Sequence, residues 1–227
     1  MKDERIIIDH NNKAYRRKWA ISGGDRYNGA YYYSREIVDN IIPNVDTDRN
    51  WVTIHIPNMA ADHSIVFIHN NINTGIYEFL KHFDDVILVC GVPETVEKVK
   101  HIGKAIYLPL SIDLDYVNTF RVGKYEKTSP VAFVGRKEKK TPEVPEDVPC
   151  ICDMPRPELL QAVARQKSVY AVGRCAIEAK ALGCKILPYD SRYPKVSRWK
   201  VLDNLEAAKI LQKELDKIDK PNKEEEK

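Results

Sequence analysis

The chain has 227 residues, 43% of them apolar, enough for one large or two small domains with a real core. Lys and Arg number 36 against 33 Asp and Glu, and the resulting charge of +3 is too small to define a nucleic-acid or membrane surface, leaving a neutral or anionic small substrate open. Five cysteines, Cys90, Cys150, Cys152, Cys175 and Cys184, lie mostly in apolar runs, and their odd number argues against a secreted disulfide framework.

From the N-terminus, strand-like and helix-like patterns alternate: RIIID, GAYYYSREIVDNII, WVTIHI, SIVFIHN, IYEFLKHF, DVILVCG, PETVEKVKHI and KAIYLPL. Such alternation marks βαβ units and a parallel sheet covered by helices, so residues 1–122 are read as a first α/β domain. The polar stretch 111–130 reads as a linker. A second domain, 123–200, repeats the pattern with VAFVG, the loop TPEVPEDVP, CICDM, PELLQAVARQ, SVYAV, CAIEAKAL and KILPYD. Residues 201–220 form an amphipathic helix with Leu205, Ala208, Leu211, Leu215 and Ile218 on one face, capped by Asp203 or Asn204, and 221–227 a charged, disordered tail. The fold class expected is α/β, with two Rossmann-like domains facing a cleft.

No apolar run reaches the ~20 residues of a membrane span, and MKDERIIIDH lacks the apolar core of a signal segment, so a cytoplasmic protein is expected. Cys150 and Cys152 fall on the same side of a strand, but no second cysteine pair or neighbouring histidine completes a zinc site, and no metal is expected.

Ligands of open α/β sheets bind beyond the carboxyl ends of the strands. Three segments fall there: 22–34, 134–140 and 172–180. In the third, Gly173 permits a close turn, Arg174 supplies a planar cation and a helix start presents free N–H groups, a combination suited to phosphate. Glu178, one turn on, has two readings: a hydrogen-bond acceptor for a polyol such as ribose, or a helix-start carboxylate paired with Arg174 or Lys180. Lys137, Lys139 and Lys140 read equally as phosphate ligands or as a solvated loop. Tyr27 and Tyr31–Tyr33 can stack on a sugar ring, although consecutive helical residues diverge and some belong to the core.

The run VGRCAIEAKALGCKILPYD resembles the donor-binding motif of GT-B glycosyltransferases of the glycogen-synthase-like superfamily: a Gly-rich turn, an E-A-x-A-x-G helix, then a strand. VAFVGRKEKK is similar to the opening strand and loop of that family's C-terminal domain, and SGGDRYNGAYYYSREIV to its N-terminal Gly-rich loop. The resemblance implies transfer of a sugar from a nucleoside-diphosphate sugar, UDP- or GDP-linked, with no cofactor or metal required. It assigns donor binding to Gly135, Arg136, Lys140 (or Lys139), Gly173, Arg174 and Glu178, with the glutamate on the ribose. Gly23 and Gly24 fall in the acceptor-side loop. Asp25 and His69, at N-domain strand ends, are the candidate catalytic groups, each with a plain alternative as a turn or backbone-bonded residue. Where the family often has a second glutamate, eight positions before Glu178, this chain has Tyr170.

The acceptor is not legible: a glycan, surface polymer, nucleic acid or small molecule all fit. Two other readings stay open: a GT-B-like protein that binds a nucleotide or nucleotide sugar without transfer, and an interaction protein with a vestigial cleft. A sugar-nucleotide epimerase ranks below them, because it needs more carboxylates and histidines near the cleft. Oligomeric state is open as well.

Overall fold

A computed structural model describes residues 2–8, 14–20, 29–52, 62–68, 73–193 and 195–219, with backbone only through residue 31. The chain is α/β. Contacts group it into two compact units, one of residues 2–20, 34–109 and 204–227, the other of 1, 21–33 and 110–203. The sequence places the boundary at residue 122; contacts break the chain after Pro109, and they group the terminal helix with the N-terminal sheet.

In the first unit, strands β1 (Lys2–Ile8), β2 (Ala14–Ala20), β3 (Asn50–Val52), β4 (Ser64–Ile68), β5 (Ile87–Cys90) and β6 (Lys104–Tyr107) pair in the order β2-β1-β3-β4-β5-β6. From β3 to β6 the pairing is parallel, as the alternating pattern leads one to expect. The hairpin departs from it: β1 runs antiparallel to both β2 and β3. Residues 9–13 are too short a connection for a parallel crossover, so the two strands must fold back on each other.

Every residue of SIVFI and ILVC is buried, as strands covered on both faces require. Val52, Val66, Ile68, Leu88 and Cys90 form one face of the sheet. Tyr77 and Leu80 of a 3-10 helix (Thr74–His82), together with Val99 of α2 (Pro93–Val99), close that face.

GAYYYSREIVDNII begins as an α-helix, α1 (Gly29–Glu36), loosens to π geometry over Ile37–Ile41 and tightens to 3-10 over Ile42–Asn44, where Pro43 cannot continue the ladder. The terminal helix, labelled α6 below (Asn204–Asp219), buries Ala208, Leu211 and Leu215 and packs on the 37–44 segment, while Leu205 is exposed. Asn204 is turned inward, its Nδ2 donating to Glu36 Oε2 at 2.9 Å, and the Asp203 carboxylate accepts from the N–H of Leu114.

In the second unit, β7 (Ser129–Val134), β8 (Cys150–Ile151), β9 (Gln166–Tyr170) and β10 (Lys185–Leu187) form an all-parallel sheet in the order β10-β9-β7-β8. Helices α4 (Arg156–Ala164) and α5 (Gly173–Ala181) supply its crossovers. The stretch read as a linker contains a short helix, α3 (Leu114–Asn118), capped by the Asp113 carboxylate on the N–H of Tyr116 and packed against α5. Lys127 also lies there. Its ammonium donates to the carbonyls of Ala164 (2.8 Å), Gln166 (3.1 Å) and Leu182 (2.9 Å), tying the ends of α4 and α5 to the start of β9.

Candidate functional site

From β7 the chain first winds one way, to β8, and then crosses back to β9 and β10 on the other side. The order therefore reverses between β7 and β9, and ligands of doubly wound sheets bind beyond the carboxyl ends of the strands at such a reversal. Phe133 pairs with Tyr170, so Gly135-Arg136 and Val172-Gly173 emerge side by side. Two of the segments picked out in the sequence thus meet at this switch point.

Both glycines have backbone conformations that a side chain disfavours: Gly135 has φ 150° and Gly173 φ 59°. A Cβ on Gly173 would meet nothing within 4 Å, so its role is to turn the chain rather than to relieve crowding. Helix α5 starts at this residue, and extended Val172 at its N-cap gives no side-chain cap. Its first N–H groups face the end of the sheet. Arg136, two residues past the end of the paired strand β7, is exposed.

Lys139 is close enough for its charge to act on the Cys175 thiol and the Asp190 carboxyl. Lys140 has a different engagement: its ammonium donates to the carbonyls of Glu146 (3.1 Å) and Val148 (3.0 Å), bracing the proline-rich loop.

Glu178 is 5% exposed, and its Oε1 lies 2.9 Å from Arg174 Nε and 2.9 Å from Arg156 Nη2. Arg174 and Arg156 are themselves buried. Each guanidinium also covers a ring: Arg174 the face of Tyr33 at 5.6 Å, Arg156 those of Tyr32 at 5.2 Å and Tyr116 at 5.7 Å. Both guanidiniums reach the same carboxylate oxygen.

Of these partners, Arg174 is expected from i, i+4 spacing, whereas Lys180 instead donates to the Trp199 carbonyl. Arg156 and Tyr116 go unread in the sequence. The signal for Arg156 is Pro155-Arg156-Pro157, a rigid helix start with a cation at its first turn.

Tyr170 packs at the edge of the cluster of Phe133, Val144, Val148 and Tyr189. Tyr32 and Tyr33 serve the arginines. Gly23, Gly24, Asp25, Tyr27 and His69 lie outside the described residues, as does the side chain of Tyr31.

A second charged cluster occupies the amino ends of β3, β4 and β5 in the first unit. Arg49, 3% exposed, pairs with Asp85 at 2.8 Å and with Asp219 at 2.6 Å. His63 sets Nδ1 2.8 Å from Asp85 and Nε2 3.0 Å from Asp48, and Lys104 reaches Asp85 as well. A neutral imidazole has one N–H, so two carboxylate partners select the imidazolium. The Asp48 hydrogen bond, followed by that of Asp85 against opposing burial, raises His63 above its ordinary 6.5. Burial acts to raise Asp85, but the Arg49 hydrogen bond, then those of His63 and Lys104, prevail and bring it to about 2.

The signs fix a stability window. The His63 contribution is complete below pH 6.5 and is lost as pH rises through its raised folded value; the Asp85 contribution is complete above 3.8 and lost as pH falls toward about 2. His63→Asn, a residue that tolerates the φ of 57° at this position, is therefore expected to lower the melting temperature near pH 6 and to leave it almost unchanged near pH 9. Parallel melting curves of the two proteins across that range check it; an offset independent of pH would contradict the ion-pair role. Lying at the amino ends of the strands, this cluster is structural.

Among the described residues no group of three or more His, Cys, Asp or Glu is placed to hold a metal ion, and no helix is long and apolar enough to cross a membrane. Comparison with protein-family models, curated proteins and solved structures finds no match.

Proposed function

We propose that the protein binds a nucleoside-diphosphate sugar and transfers the sugar to an acceptor hydroxyl, using a GT-B arrangement of its two α/β units. The observation that carries this reading is the switch point of the second sheet, where paired β7 and β9 bring Gly135-Arg136 next to the start of α5, the helix that carries Arg174 and Glu178. The N–H groups of α5 and the Arg136 guanidinium take the diphosphate, stabilising the negative charge that grows on the departing nucleotide. Glu178 accepts from the ribose while held in orientation by its arginines. An inverting reaction also needs a base, a role assigned to Asp25 or His69.

A second reading, nucleotide-sugar binding without transfer, is favoured by Tyr170, which packs at the edge of an apolar cluster where the family often has a carboxylate facing the sugar. The two are separated by screening UDP, GDP, ADP, CDP and dTDP and their common sugars by thermal shift, then following the bound sugar nucleotide for release of its nucleoside diphosphate. One base is expected to raise the melting temperature, by about 2.7 kcal/mol of added stability at a hundredfold excess over Kd. Turnover supports transfer, binding without turnover supports the second reading, and no binding refutes both.

A further inference from the structure

Beside Gly135, on the outer strand of the same sheet, lies a pair of thiols that the nucleotide reading does not use. Cys150 is the first residue of β8, and Cys152 comes directly after its last, Ile151. Cys150 Sγ donates to the Gly135 carbonyl at 3.7 Å, and the side chains of Cys150 and Asp153 lie near enough to act on the Cys152 thiol. Both cysteines are half-buried, within reach of a small reagent, whereas Cys90 and Cys184 are buried.

Along an extended strand, residues two apart have Cα atoms about 6.6 Å apart, at the upper limit of the 4.4–6.8 Å span of disulfides. Closing this pair bends the chain at Ile151, and Asp153, already left-handed at φ 51°, provides a turn next to the bend. A bond made under such strain is readily reduced, unlike a structural disulfide.

We propose that Cys150 and Cys152 are a reversible oxidation site, forming an intrachain disulfide by exchange with a small disulfide such as oxidised glutathione. Cys150 thiolate attacks one sulfur of the oxidant, releasing one glutathione and leaving a mixed disulfide. Cys152, giving up its proton, then attacks Cys150 Sγ and releases the second. Two electrons pass from the thiol pair to the oxidant, whose S–S bond is broken, and two hydrogens leave the protein as glutathione S–H. Burial, together with the neighbouring Cys150 and Asp153, pushes the Cys152 thiol up to about 12, so closure is slow and quickens as pH rises. Oxidation also withdraws the Cys150 S–H from the Gly135 carbonyl, which couples the thiol state to the loop carrying Arg136.

The test uses the native full-length chain, treated with oxidised glutathione at pH 7 and 9 and mapped by mass spectrometry, and it does not depend on nucleotide binding. The peptide holding both cysteines is expected to become two hydrogens lighter, faster at pH 9, and to recover its mass in about tenfold excess of reduced glutathione. Cys150→Ser and Cys152→Ser are each expected to stop at a single glutathione adduct or to stay unmodified. A native peptide that remains reduced, or that keeps glutathione without closing, overturns the proposal.

Discussion

Glu178→Ala is expected to lower the unfolding free energy by about 3–5 kcal/mol, because it leaves Arg156 and Arg174 buried without the carboxylate they share. Glu178→Gln, which keeps an acceptor oxygen but removes the charge, should recover part of that loss. Urea unfolding of the three proteins measures it. A change below about 1 kcal/mol in the alanine variant would contradict the role of the shared carboxylate in holding the two arginines. One practical consequence follows: loss of nucleotide binding in Glu178→Ala cannot be assigned to a ribose contact until the variant is shown to be folded.

The second large effect is expected at Arg49. In Arg49→Met the hydrocarbon of the buried side chain is retained, but the pairs with Asp85 and Asp219 and the donation to the Asp85 carbonyl at 3.0 Å are lost. The two carboxylates are 36% and 37% exposed and can turn to water, so the expected cost is about 2–3 kcal/mol, below that of a fully enclosed pair. Because Asp219 is the last residue of α6, hydrogen exchange should quicken at that end of the helix and little at β5. Uniform loss of protection across the first unit would instead make Arg49 a general core residue.

What the sequence made legible follows from range along the chain. SIVFI and ILVC are readable because strands covered on both faces are continuous apolar runs, and the terminal helix because its 3.6-residue period persists for four turns. The β1–β2 hairpin was not readable as one: AYRRKWA is charged, and nothing in it announces an antiparallel partner. Helix α3 is too short to show a period. At the candidate site, Gly173 and Arg174 were picked out through turn chemistry and local spacing, whereas Gly135 and Arg136 entered through the family resemblance. Arg174 was within local reach of Glu178 as an i, i+4 partner. Arg156 was not, because its approach to Glu178 is produced by the packing of α4 on α5, and no local pattern encodes it.

The central claim is that the carboxyl end of the β7–β9 switch point binds a diphosphate, and calorimetric titration of pyrophosphate and the nucleoside diphosphates into the native protein and Arg136→Ala tests it most directly. Melting curves of the two proteins, recorded alongside, separate loss of binding from loss of fold. The account predicts binding of one nucleoside diphosphate to the native chain, weakened about tenfold or more (~1.4 kcal/mol) in Arg136→Ala. Equal affinity in the two proteins, or no binding to either, would contradict it.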